Sequence, residues 1–201
     1  MLGALAAAAL ICLDPGHGTL PAVGAQSEPI APGSHVLKVK DAGGAPGEAK
    51  VALAIAFRTR KALLEDGYRV AMTRTRDGYR GGNVERAEFC NARHAALMLR
   101  IHADGSSDSS QHGAATLYKR GSRRAAVLVQ RALVRATRAA DRGIVLRTDL
   151  TGFNWATVPA ILVETGFMTN PFERARLETP AYQEKVARGL AAGVRAFATP
   201  L

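Results

Sequence analysis

Short apolar runs alternate with longer amphipathic segments along almost the whole chain, and this alternation restricts the fold more than any other feature. Residues 10–13, 68–73, 97–102, 114–118 and 160–164 read as strands, most of them bounded by Gly, Pro or Asp. Between them, residues 48–66, 84–96 and 122–142 carry apolar side chains at helical spacing, and 172–177 and 181–197 follow as helices. Strands and helices taking turns in this way call for a mostly parallel sheet buried under helices. We expect an α/β fold: a single-domain three-layer sandwich with an open, twisted sheet of about six strands and helices on both faces.

A chain of 201 residues suits one full domain better than two, and residues 10–201 are expected to form it. Residues 1–9 are almost wholly apolar, yet no Lys or Arg precedes Lys38, so the basic start of an ordinary signal peptide is missing. The run is also shorter than the roughly 20 residues of a bilayer span. We read 1–9 as the remnant of an export signal, which implies a protein of the periplasm, cell wall or extracellular space. The alternative is one long first strand in a cytosolic protein. Two cysteines exclude a disulfide-dense miniprotein and a four-cysteine zinc site. Cys12, in a strand, and Cys90, on a helix able to cover it, either pair or remain two separate thiols.

The net charge of +10, from 27 Lys and Arg against 17 Asp and Glu, attracts anions of any class. Arg124, Arg131, Arg135, Arg138 and Arg142 gather on one side of the 122–142 helix. Nucleic acid is not the expected partner, because aromatic residues make up 5% of the chain and none lies in that helix. An anionic wall polymer is the functional reading of this surface, and a solvated helix face the plain one.

Three strands end on a side chain able to bind a metal or move a proton. His17 follows the first in the turn Asp14-Pro15-Gly16-His17-Gly18, His102 closes another, and Glu164 closes the last. Open α/β sheets build their ligand sites at such strand ends. His17, Glu48 and His102 make up a His2Glu set of the kind that holds one catalytic zinc ion, with a coordination position left for water. Glu164 remains for general acid and base work. His35, His94 and His112 stay outside the metal set. The Gly- and Pro-rich stretch 19–46 reads as a long loop holding a hairpin near 35–39, bordering the cleft and able to move.

The stretches LDPGHG (13–18), EAKVALAIA (48–56), ERAEFCNA (85–92), RIHADG (100–105) and VPAILVETGFMTNPFERARL (158–177) together resemble the zinc-dependent N-acetylmuramoyl-L-alanine amidases, the type-3 catalytic domain of cell-wall hydrolases. The resemblance runs from about residue 10 to 197. It implies hydrolysis of the amide between N-acetylmuramic acid and L-alanine in peptidoglycan or its muropeptide fragments. By position in these motifs, His17, Glu48 and His102 resemble the zinc ligands and Glu164 the catalytic glutamate. A monomer without a membrane span is expected.

The chain departs from the family where Thr19 and Leu20 replace a further Gly-rich run, and where Phe153, Asn154 and Trp155 stand in place of the more usual sequence. The inhibitory helix that some relatives insert before the last strand is not expected here, since one strand, one helix and a connector fill the interval. Asp14 either orients the ring of His17 or caps the turn. Arg86 either holds a substrate carboxylate or pairs with Glu85 or Glu88. Two other functions compete: a zinc carboxypeptidase acting on wall peptides, and a catalytically silent wall-binding module.

Overall fold

A computed structural model describes residues 9–198. The segment read as an export-signal remnant, apart from Ala9, lies outside the described residues. In chain order the elements are β1 (Leu10–Pro15), α1 (Pro21–Gly24), β2 (Ser27–Pro29), β3 (Leu37–Val39), α2 (Glu48–Glu65), β4 (Arg69–Met72), α3 (Asn83–Asn91) and β5 (Leu97–Asp104). They continue with β6 (Ala114–Tyr118), α4 (Arg123–Thr137), β7 (Asp141–Leu146), α5 (Thr151–Trp155), β8 (Ala160–Phe167), α6 (Pro171–Leu177) and α7 (Pro180–Ala198). The main sheet has six strands in the order β4-β1-β5-β8-β6-β7. β4, β1, β5 and β8 are mutually parallel, and β6 enters antiparallel to β8. This is the expected α/β sandwich.

Side chains alternate along each central strand, and the two faces collect different partners. Ile11, Leu13, Leu97, Leu99, Ile101, Ile161 and Val163 form one core with Val51 and Ile55 of α2, Val129 and Leu133 of α4, and Val186, Leu190 and Val194 of α7. Cys12, Met98, Ala160 and Leu162 form the other with Ala87 and Cys90 of α3 and Phe153 of α5. Cys12 and Cys90 are joined in a disulfide, their Cα atoms 5.7 Å apart, so β1 and α3 are covalently tied across this thinner layer.

Some boundaries differ from the sequence reading. The helix expected over 122–142 stops at Thr137, where Arg138 takes a left-handed conformation with φ 59°. Arg142 therefore belongs to β7, an edge strand whose ends are exposed and which offered no buried apolar run to recognise. The helix expected over 84–96 ends at Asn91, and the chain turns through His94 at φ 49° to reach β5. β8 continues past Glu164 to Phe167 because Phe167 still pairs with Asp104. The interval before β8 thus holds β6, α4, β7 and the short α5. The hairpin near 35–39 is present as β3 paired antiparallel with β2, and α1 precedes it.

Candidate metal centre and catalytic cleft

The turn after β1 brings its backbone into a conformation that needs outside support. His17 has φ 55° and Gly18 φ 79°, so two successive residues are left-handed and the carbonyls of the turn lose their strand partners. Two guanidinium groups supply the donors. Arg86 donates to the carbonyls of Pro15 (2.8 Å) and His17 (2.7 Å), and Arg74 donates to those of Pro15 (3.0 Å) and Gly16 (2.8 Å). Gly16 has a separate reason to be glycine, since a Cβ there would strike the ring of His102.

Asp14 neither orients His17 nor caps the turn. It is fully buried and accepts from Arg86 (2.8 Å), Arg100 (2.7 Å) and Thr73 (2.6 Å). Burial alone would raise its pKa, but the two guanidinium groups and the Thr73 hydroxyl hold it well below the usual carboxylate range. Arg86 accordingly pairs with Asp14, not with Glu85 or Glu88. Glu85 faces Lys40 and the backbone N–H of Gly82 instead.

Glu48 is the first residue of α2, and His102 stands near the end of β5. The Glu48 Oε1 atom lies 3.1 Å from His17 Nε2 and 3.0 Å from His102 Nδ1. One potential ligand atom from each of the three falls within 4.8 Å of the other two. His17 Nδ1 points away from this cluster, to Asp41 Oδ1 at 2.6 Å. Burial opposes protonation of His17, yet its hydrogen bonds to Asp41 and Glu48 prevail and lift its pKa to about 9. Those of Glu48 and Asp41 are lowered against burial by the same imidazole contacts, Glu48 meeting His102 as well. His102 moves the other way, because burial outweighs its contact with Glu48.

Two observations show that these residues suit a metal ion. His102 Nε2 is buried with no hydrogen-bond partner among the described residues. Gly44, at φ 69°, leaves open the space beside the cluster, where a Cβ would collide with the Glu48 carboxylate and the His17 ring. Two imidazoles and a carboxylate are a donor set suited to zinc.

Glu164 is the register partner of His102 across β5 and β8. Its Oε2 is buried without a hydrogen-bond partner among the described residues, and burial, reinforced by the charges of Asp104 and Glu48, pushes its pKa well up. All four residues line one open cleft of about 520 Å³, together with Gly44, Asp104, Ser106 and Thr169 among others. His35 and His112 are exposed and His94 lies on a surface turn, so the site brings together only the two histidines selected from the sequence.

Sequence reasoning missed Asp41, whose role depends on a loop path that no local pattern encodes. The 19–46 loop borders the cleft through its last residues, Ala42, Gly44, Ala45 and Pro46. Its middle is held down: Glu28 accepts from the N–H groups of Asn83 and Val84, and Trp155 and Asn154 donate to Pro29 and Ile30.

A parallel-centred α/β sandwich with a cleft of acidic and imidazole groups at its strand ends has the form of a hydrolytic enzyme. The sequence profile of the N-acetylmuramoyl-L-alanine amidases matches residues 11–196, and the chain belongs to that family. It is 32% identical to the germination-specific N-acetylmuramoyl-L-alanine amidase of Bacillus subtilis, over 94% of this chain and 80% of that protein. Among solved structures, the apo N-acetylmuramyl-L-alanine amidase Ami1 of Mycobacterium abscessus superposes with a TM-score of 0.86 at 28% identity, covering 96% of this chain and all of that one. Ami1 of Mycobacterium smegmatis gives 0.85 at 29% identity, covering 95% and 97%. The protein is thus an N-acetylmuramoyl-L-alanine amidase that hydrolyses peptidoglycan.

Proposed function

We propose that the amidase reaction uses one zinc ion held by His17, Glu48 and His102, with Glu164 as the general acid and base. The observation that carries this reading is the convergence of both imidazoles on one Glu48 oxygen, in the cleft that also holds a buried Glu164 oxygen without a hydrogen-bond partner among the described residues. A bound zinc would polarise the scissile carbonyl and bring the pKa of water down to about 7.

The rest falls to the chain's own groups. Asp41, hydrogen-bonded to the far nitrogen of His17, fixes the orientation of that ring and leaves Nε2 facing the cleft. Ala45 and Ala103 donate backbone N–H groups to the Glu48 carboxylate at 2.9 and 3.2 Å, which holds it in one orientation. Glu164 accepts a proton from the attacking water and returns it to the departing L-alanine nitrogen. Burial, which raises the pKa of this carboxyl, favours its protonated form and so suits it to the second task.

The cleft is complete within one chain, which supports a working monomer, and residues 10–201 act as the catalytic domain. The Cys12–Cys90 disulfide supports an oxidising location outside the cytosol, where peptidoglycan is also found. No helix among the described residues is long and apolar enough to cross a membrane.

The test combines metal analysis of protein purified without chelator with product analysis on muropeptides. One zinc per chain, together with free muramoyl sugar and intact stem peptide, is the expected result. Activity that survives complete metal removal would overturn the zinc assignment. Shortened stem peptide as the product would indicate a carboxypeptidase instead.

A further inference from the structure

A second cleft, of about 340 Å³, opens beside the first and is walled by His112, Arg138, Asn170, Phe172, Glu173 and Arg176 together with Ala139 and Ala140. The topology brings it to the same edge of the sheet. β6 runs antiparallel to β8, so its start lies next to Glu164, with Ala115 as the register partner of that residue. α4 then runs back to end at Thr137, just ahead of β7, whose first residue, Asp141, pairs with Ala114. The segment 105–113 separates the two clefts: Gly105, Ser106 and Ser107 line the catalytic one and His112 lines the other. It is pinned at 3.0 Å by Ser106 N–H to Thr169 Oγ1 and by Asn170 Nδ2 to the Ser109 carbonyl. Thr169 lines the catalytic cleft and Phe172 the second one. Three residues of chain span at most about 11 Å, so the two sites are close neighbours.

The second cleft has the chemistry of an anion site with an apolar edge. Arg138, exposed at the left-handed end of α4, makes no side-chain hydrogen bond or ion pair among the described residues. Arg176 donates to the Thr137 carbonyl at 3.1 Å and lies 4.4 Å from the centre of the Tyr182 ring, without a carboxylate partner among the described residues. The acidic residue in the wall, Glu173, is buried and already engaged, accepting from Gly113 N–H at 2.9 Å and Phe167 N–H at 2.7 Å. Phe172, at 80%, is the most exposed large apolar side chain among the described residues, and its backbone is nevertheless held in place. Asn170 caps α6 by accepting from Phe172 N–H and Glu173 N–H, both at 3.0 Å, and Pro171 opens the helix.

We propose that this cleft is a subsite for the carboxylate-bearing far end of the stem peptide, with Arg138 and Arg176 receiving the carboxylate and Phe172 covering the aliphatic part beside it. The proposal rests on the catalytic reading above, because the peptide enters from that cleft. A four-residue peptide reaches about 13 Å when extended, enough to pass from one cleft to the next. Guanidinium forks match a carboxylate bidentately, and an aromatic wall limits the water that competes for it. The enzyme is therefore selective for stem peptides that keep a free distal carboxylate.

The test uses the Phe172→Ala/Arg138→Gln double variant, both positions being exposed, and three soluble substrates: muramoyl-tetrapeptide, the same compound with its distal carboxylates amidated, and muramoyl-L-alanine. For the unaltered enzyme, kcat/KM on the free tetrapeptide should exceed that on the other two by about 10-fold, the effect of one charge-assisted hydrogen bond. The variant should lose this preference through KM while cleaving muramoyl-L-alanine at the original rate. A variant that keeps the preference, or an unaltered enzyme that shows none, overturns the subsite but leaves the catalytic centre standing. An unaltered enzyme, loaded with zinc, that cleaves none of the three overturns the catalytic reading and the subsite with it.

Discussion

Asp41 Oδ1 lies 2.6 Å from His17 Nδ1, although the two residues are 24 positions apart in sequence and on opposite sides of a hairpin. The same carboxylate accepts from the N–H groups of Thr19 at 3.1 Å and Gly43 at 2.8 Å, so it ties both ends of the 19–46 loop to the ring. A carboxylate behind an imidazole fixes its tautomer and makes the other nitrogen a better ligand. Asp41→Asn should therefore weaken zinc binding by about 10- to 100-fold while leaving the fold intact. Competition with a chromophoric chelator measures this directly, and an unchanged affinity would deny Asp41 the role.

Glu164→Gln should retain zinc but lose hydrolysis by about 10²- to 10⁴-fold, the usual worth of a general acid or base. The substitution keeps the size of the side chain and leaves His17, Glu48 and His102 untouched. His17→Ala and His102→Ala should instead lose metal and activity together. Zinc content and muropeptide cleavage, measured on all three variants, separate the roles; a Glu164→Gln protein without zinc would make Glu164 a ligand.

Asp14 ties stability to acid pH. Its folded-state pKa lies below the ordinary aspartate value of 3.8, so in the window between the two the unfolded chain binds a proton that the folded chain does not. Its contribution is fully present above about pH 5 and is lost as pH falls through that window. Asp14→Asn should remove this pH dependence and cost about 3–5 kcal/mol at pH 7, because Arg86 and Arg100 stay buried without their anion. Urea unfolding of both proteins at pH 7 and at about pH 3, inside that window, checks the sign: the stability gap between them should narrow at the lower pH.

The disulfide joins residues 78 apart, a long closed loop in the unfolded chain. Replacing Cys12 and Cys90 with Ala should lower unfolding free energy by about 2–4 kcal/mol. Zinc affinity at 25 °C should persist, since neither cysteine touches the metal-competent cluster. A denaturant series paired with a zinc titration gives both numbers, and loss of zinc binding in a protein that is still folded would show that the tie between β1 and α3 positions His17.

Much of the fold was legible because β1, β5 and β8 are central strands. Burial on both faces writes them as continuous apolar runs, and their ends are marked by His17, His102 and Glu164. β7 escaped notice because an exposed edge strand needs no such run, and Arg138 ended α4 through backbone conformation alone. Asp14 and Arg86 were visible as candidates, but their pairing was not. Each had plausible partners nearby in sequence, whereas the partner it took lies 72 residues away.

By itself the sequence determined the alternating α/β architecture, the residue types able to hold a metal and move a proton, and the family to which they correspond. The first two follow from periodicity and residue type, which are local properties of the chain, and the family from the resemblance of its five motifs. Only the tertiary structure decided that Glu48 meets both imidazoles through one oxygen, that Asp41 stands behind His17, that Cys12 and Cys90 are bonded, and that a basic cleft with an exposed Phe172 adjoins the catalytic one. Each of these depends on loop paths and sheet order bringing together side chains far apart in sequence, and no local preference of the chain encodes such a meeting.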